Sequence, residues 1–197
     1  MKRIVLFSTP TSTNINIVLE QIFPEDIKDK MLAYMPSDGS NAPQKYVDEW
    51  KGYAENNNAG FNLINNSLVG STEERDKLLS SNILVISGGN TFKLLDNLRK
   101  SGLDRAIMEF IKKDNFVLSG FSAGALVLTP TIEVCNLPNY DENIVGLKDL
   151  TGLGIVDFEI FPHYDEATQK ELLDKYRLTA KHEVKEITNE DFIALNL

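Results

Sequence analysis

The run Ile83-Leu84-Val85-Ile86, ended by Ser87-Gly88-Gly89, constrains the fold more than any other feature of the chain. Consecutive apolar residues without alternation suit a strand buried on both faces. Such strands belong to parallel sheets covered by helices on both sides. Further runs of this kind lie at Ile4–Ser8, Met31–Pro36, Phe61–Ile64, Phe116–Leu118 and Phe158–Phe161. Between them lie stretches with helical periodicity. Ser12–Phe23 carries Ile15, Val18, Leu19 and Ile22 at helical spacing. A helix opens after Asn41-Ala42-Pro43 with Tyr46, Trp50 and Tyr53 on its apolar face. Ser71-Thr72-Glu73-Glu74 resembles a capping box for a helix to about Ser80, with Ser71 as N-cap. Thr91–Lys100 and Leu103–Lys113 are helices split by Ser101-Gly102, and Ala123–Leu128 is a short one stopped by Pro130. Residues 135–155 are loop-rich. Glu166 to about Lys181 is a polar amphipathic helix, and Val184–Ile187 with Phe192–Leu195 suggests a closing hairpin. Strands alternating with helices predict an α/β fold, a three-layer sandwich with a mostly parallel central sheet. At 197 residues, one domain over 1–197 is expected.

Charge narrows the function. Lys and Arg number 20 against 29 Asp and Glu, for a formal charge of −9. Neither nucleic acid nor an anionic membrane surface is an expected partner, because both attract positive fields. The apolar runs fall far short of the roughly 20 residues that span a bilayer. The polar residues Ser8 and Thr9 cut the first run before it could form a signal peptide, so a cytoplasmic location is expected. The single cysteine, Cys135, allows no internal disulfide and suits a small buried thiol. No metal or other cofactor is expected, since ligand pairs such as His-x-x-x-His are missing.

Two loops carry chemistry. Val117-Leu118-Ser119-Gly120-Phe121-Ser122-Ala123-Gly124-Ala125 holds Gly-x-Ser-x-Gly between a predicted strand and a predicted helix. A tight turn there, the nucleophile elbow, exposes Ser122 above the sheet edge, and the flanking glycines remove Cβ atoms that would clash. The N–H after Ser122, on Ala123, faces a developing oxyanion. The second loop, Ser87-Gly88-Gly89-Asn90-Thr91, follows the central strand. It suits an oxyanion partner, a phosphate nest or a plain turn with positive φ. Loops at the carboxyl ends of parallel strands share one edge, so the two would face each other if their strands are neighbours. A serine nucleophile needs a base, and the chain has only two histidines. His163 directly follows a predicted strand and is favoured. His182 sits near a helix end, where a solvated imidazole is expected.

Ser87-Gly88-Gly89-Asn90-Thr91-Phe92-Lys93-Leu94-Leu95, Gly120-Phe121-Ser122-Ala123-Gly124-Ala125, Pro130-Thr131-Ile132 and Pro162-His163-Tyr164 together resemble the peptidase E (aspartyl dipeptidase) and cyanophycinase family of serine peptidases. The resemblance runs over the whole chain. It implies a class I glutamine-amidotransferase-like, flavodoxin-like fold and a Ser–His–acid mechanism without metal. It also implies Ser122 as nucleophile, His163 as general base, and Gly89 and Ala123 as oxyanion-hole donors.

The chain departs from that pattern at the third triad member. The position matching the family's Asp is Leu137. Glu133, Asp141 or Glu142 are candidates to replace it, or an Asn such as Asn136 to orient the base. The segment after His163, Tyr164-Asp165-Glu166, would repel a carboxylate, which sets N-terminal Asp specificity in question. Lys170, Lys175 and Arg177 follow on a predicted helix as the nearest cations. The expected activity is a dipeptidase-like hydrolase acting on short peptides, as a monomer or homodimer. The competing expectation is a catalytically impaired, peptidase-like binding module. A nucleotide-binding role has less support, since both common glycine-rich nucleotide motifs are missing.

Overall fold

The computed structural model describes residues 1–197. Its strands are β1 (Lys2–Phe7), β2 (Met31–Met35), β3 (Gly60–Leu63), β4 (Ile83–Ile86), β5 (Phe116–Phe121), β6 (Glu159–Pro162), β7 (Val184–Ile187) and β8 (Phe192–Asn196). Its helices are α1 (Ile15–Ile22), α2 (Gln44–Asn56), α3 (Thr72–Ser80), α4 (Thr91–Ser101), α5 (Leu103–Phe110), α6 (Ala123–Leu126) and α7 (Glu166–Arg177). The main sheet has the order β3-β2-β4-β5-β1-β8. Every pairing in it is parallel except that of β8, which lies antiparallel along β1. This is the expected α/β architecture, with helices on both faces.

Alternation along each strand divides the core. Val5, Phe7, Leu32, Tyr34, Ile83, Val85 and Val117 face α1 and α2, where they meet Val18, Ile22, Val47, Trp50 and Ala54. Ile4, Leu6, Ala33, Met35, Leu84, Ile86 and Leu118 face the other way, into a larger core supplied by α3 to α7. Trp50 stacks on Tyr34 at 5.5 Å and on Phe121 at 6.0 Å between ring centroids, while Tyr46 of the same helix stays exposed at a cleft mouth.

Local signals set the helix ends. Asn90 Oδ1 caps α4 by accepting from the Lys93 N–H at 2.9 Å, and Gly102 (φ +80°) turns the chain from α4 into α5. Ser71 Oγ caps α3 by accepting from the Glu74 N–H at 3.3 Å. The second half of the expected capping box is spent elsewhere. The buried Glu74 carboxylate accepts from the Asn65 N–H at 2.6 Å and pairs with Lys77 at 2.8 Å.

The closing hairpin does not form. β7 pairs in parallel with β6 in a separate two-stranded sheet, and β8 crosses to the free edge of β1. The linker explains this. Ile187 O accepts from Ser8 Oγ at 2.8 Å and from the Tyr164 N–H at 3.0 Å, and Asn189 O accepts from Asn14 Nδ2 at 2.7 Å. Residues 187–189 are thereby held against the carboxyl end of β1, and the chain continues along the edge of that strand. An open strand edge is covered in the process. No helix is long and apolar enough to cross a membrane.

Candidate functional site

β5 ends at Phe121, and the backbone turns sharply at Ser122, with φ 48° and ψ −117°. A non-glycine residue there costs roughly 1–3 kcal/mol. The surroundings hold it in place. The Ser122 N–H donates to Phe7 O at 3.0 Å, and its carbonyl accepts from the N–H groups of Ala125 and Leu126 at 3.0 and 2.9 Å. Both flanking glycines are required by close packing. A Cβ on Gly120 would stand 2.4 Å from Gly124 O, and one on Gly124 would stand 2.0 Å from Ile86 O.

β4 and β5 are neighbours, with Ile86 opposite Gly120, so Ser87–Gly89 run beside Phe121 and Ser122. A Cβ on Gly88 would approach Ser122 Cβ to 3.1 Å. The Gly88 carbonyl accepts from Ser37 Oγ at 2.7 Å and Ser87 Oγ at 3.0 Å. The C=O and N–H of a trans peptide point in opposite directions. Anchoring the Gly88 carbonyl therefore aims the Gly89 N–H away from the two serines. Gly89 itself has φ +145°, and a Cβ there would lie 2.0 Å from Ser37 Oγ. The N–H groups of Gly89 and Ala123 have no backbone acceptor.

His163 follows β6, a strand outside the main sheet, yet its ring reaches the same edge. Its Nε2 lies 2.9 Å from Ser122 Oγ, and its Nδ1 lies 2.8 Å from Asn189 Oδ1. The Asn189 oxygen can only accept, so Nδ1 carries the proton. Nε2 then offers its lone pair to the Ser122 hydroxyl. His163 adopts φ 58°. Its N–H donates at 2.8 Å to Ser8 Oγ, which is fully buried and in turn donates to Ile187 O. Asn14, also buried, donates to Thr9 O at 2.9 Å and to Asn189 O at 2.7 Å. Ser8 and Asn14 thus tie both partners of the His163–Asn189 pair to the turn between β1 and α1.

The structure brings together Ser122, His163, Gly89 and Ala123, but not the carboxylates considered for the third place. Glu133 pairs with Lys181 at 3.9 Å and lines a separate cleft with His182. Asp141 lies in the same pocket as Ser122 and His163, but its Oδ2 accepts from the N–H and Oγ1 of Thr91 at 2.7 and 2.5 Å. Glu142 contributes only its carbonyl, to Asn90 Nδ2, and Asn136 is exposed. The ring faces Asn189 because residues 187–189 dock on the end of β1, a placement with no local sequence signal. Ser8, Asn14, Ser37 and Ser87 carry no local signal either, since a buried serine or asparagine in a strand-end turn looks like an ordinary turn residue in sequence. Cys135 is buried, which pushes its thiol up to about 12, so it stays protonated. No cluster of His, Cys, Asp or Glu is placed to hold a metal ion.

Three cavities surround these residues. A pocket of about 220 Å³ is lined by Ser122, His163, Thr91, Tyr140, Asp141 and Gln169, among others. Beyond the Gly88-Gly89 turn lie clefts of about 350 and 570 Å³, walled in part by Tyr34 and Tyr46.

Residues 5–196 match the model of peptidase family S51, and the chain belongs to that family. It is therefore a peptidase, a hydrolase of peptide bonds. An uncharacterized peptidase of Pasteurella multocida is 30% identical over 180 residues, covering 88% of this chain and 85% of that protein. Peptidase E of Salmonella arizonae is 37% identical over 87 residues, covering 44% of this chain but only 36% of that protein. A crystal structure of a candidate peptidase E from Listeria monocytogenes superposes with a TM-score of 0.76 at 25% identity, covering 100% of this chain and 99% of that one. A peptidase from an acI-B1 actinobacterium shares the fold at a TM-score of 0.73 and 16% identity, over 99% of this chain and 83% of that one.

Proposed function

We propose that the protein is a serine-type peptidase that hydrolyses short peptides, in the manner of a dipeptidase, through an acyl-enzyme. Ser122 attacks the scissile carbonyl carbon, and His163 Nε2 takes the hydroxyl proton. The carbonyl oxygen becomes an oxyanion between the N–H groups of Gly89 and Ala123. His163 returns the proton to the leaving amine as the C–N bond breaks. Water then repeats the sequence against the ester, releasing the acid and restoring Ser122. Asn189 holds the ring in the Nδ1–H tautomer. A neutral amide can fill this place, as cysteine peptidases with a Cys–His–Asn arrangement show. The observation that carries the reading is the 2.9 Å contact between His163 Nε2 and Ser122 Oγ on a strained turn.

A fluorophosphonate probe followed by peptide mapping tests it. One adduct on Ser122 is expected, lost in His163→Ala and slowed roughly 10²-fold in Asn189→Ala, the scale of a general-base contribution. A second reading, a binding module without turnover, draws on the missing carboxylate at Nδ1 of His163. No adduct on the folded protein would favour that reading over the first.

A further inference from the structure

The pocket that holds Ser122 and His163 contains one fixed carboxylate and no lysine or arginine. That carboxylate is Asp141. The N–H and hydroxyl of Thr91 both bond to Oδ2, which leaves Oδ1 unengaged. Lys170, Lys175 and Arg177 lie outside the pocket's lining, and each faces a carboxylate at the surface. Lys170 faces Asp174 at 3.9 Å, Lys175 pairs with Glu171 at 2.6 Å, and Arg177 pairs with Glu186. At about 220 Å³ the pocket is smaller than the usual range for small-molecule sites, and its size suits a single amino-acid residue.

We propose that this pocket is a cation subsite in which Asp141 receives an ammonium or guanidinium group of the peptide, one residue from the scissile bond. The inference rests on the peptidase reading above and names its substrate class. A cation between Asp141 and the reacting carbonyl gains a charge-assisted hydrogen bond. A carboxylate in the same place would meet Asp141 across a short distance and lose binding through repulsion. Two sources supply the cation, the α-ammonium of a free N-terminus and the side chain of Lys or Arg. Gln169 and Tyr140, on the pocket wall, offer neutral polar contacts to either.

Calorimetry separates the two sources. Alaninamide carries only the α-ammonium, Nα-acetyl-lysinamide only the side-chain cation, and Nα-acetyl-alaninamide neither. At least one of the first two is expected to bind ten times more tightly than the third. Asp141→Asn, which keeps an oxygen for the Thr91 N–H, is expected to remove that advantage. Equal binding of the neutral amide, or an unchanged preference in Asp141→Asn, overturns the subsite. Turnover gives the parallel readout. At least one of Ala-Ala and Nα-acetyl-Lys-Ala is expected to be cleaved at least tenfold faster, in kcat/KM, than Nα-acetyl-Ala-Ala, and equal turnover of all three overturns the proposal. Probe labelling of Ser122 in the wild-type protein reports the peptidase reading separately, so the failure of one is distinguishable from the failure of the other.

Discussion

At the scale of single residues, the site is held by backbone strain and by buried hydroxyls. Ser122 occupies φ 48° and ψ −117°, a conformation that glycine adopts without penalty. Ser122→Gly is therefore expected to abolish hydrolysis while raising thermal stability by about 1 kcal/mol, after the entropy cost of a new glycine. Ser122→Ala should abolish hydrolysis without that gain, and thermal melts of the two variants make the comparison. Ser8 acts at one remove from the chemistry. Its hydroxyl accepts from the His163 N–H and donates to Ile187 O in a site closed to water. Ser8→Ala leaves the His163 N–H unpaired, while Ile187 O keeps its bond from the Tyr164 N–H, and is expected to cost about 1–3 kcal/mol. Displacing the ring from Ser122 should also lower kcat by roughly 10-fold or more, since small misplacements are costly in a preorganised site. A kcat that falls while KM stays constant is the expected signature, and unchanged kcat would show that His163 is positioned without Ser8.

At the scale of elements, the two sheets do different work. The main sheet places Gly89 and Ser122 at the ends of adjacent strands, β4 and β5. The small β6–β7 sheet carries His163 to Ser122, so its attachment to the rest of the molecule sets the distance between the two side chains. One tie is the buried Tyr176 hydroxyl of α7, which donates to Glu159 Oε2 of β6, while Glu159 Oε1 has no partner. Burial and the Glu159 carboxylate both raise the Tyr176 hydroxyl well above its ordinary titration range, so it remains a donor at physiological pH. Tyr176→Phe would leave the whole carboxylate without a partner. It is expected to destabilise the protein by about 1–3 kcal/mol, read from a urea midpoint. A neutral result would mean that water reaches Glu159.

At the scale of the whole molecule, a formal charge of −9 surrounds a pocket whose one fixed charge is also negative. Such a field draws cations in and slows anions. With a dicationic peptide, kcat/KM is expected to fall several-fold from about 0.01 M salt, where the Debye length is about 30 Å, to about 1 M, where it is about 3 Å. A neutral peptide should show little change, and stopped assays across that range decide the matter. The same scale shows what could be read from the chain alone. The apolar run Ile83–Ile86 demanded a strand buried on both faces, and it became the central β4. Gly-x-Ser-x-Gly demanded a tight strand-to-helix turn, because nine consecutive residues contain both the strand end and the glycines that the turn needs. With only two histidines in the chain, a strand end could single out His163 as the partner of Ser122. The other contacts join residues far apart in sequence. Asn189 meets the His163 ring from 26 positions away, Ser8 holds the His163 backbone from 155, and Asn14 holds Asn189 from 175. An asparagine in a turn looks the same in sequence whether it closes a hairpin or orients an imidazole. Burial periodicity and steric demand are short-range and lie in the sequence itself. The hydrogen-bond partner of a turn residue was decided only when β7 joined β6, β8 crossed to β1, and the segment between them docked beside Ser8 and His163.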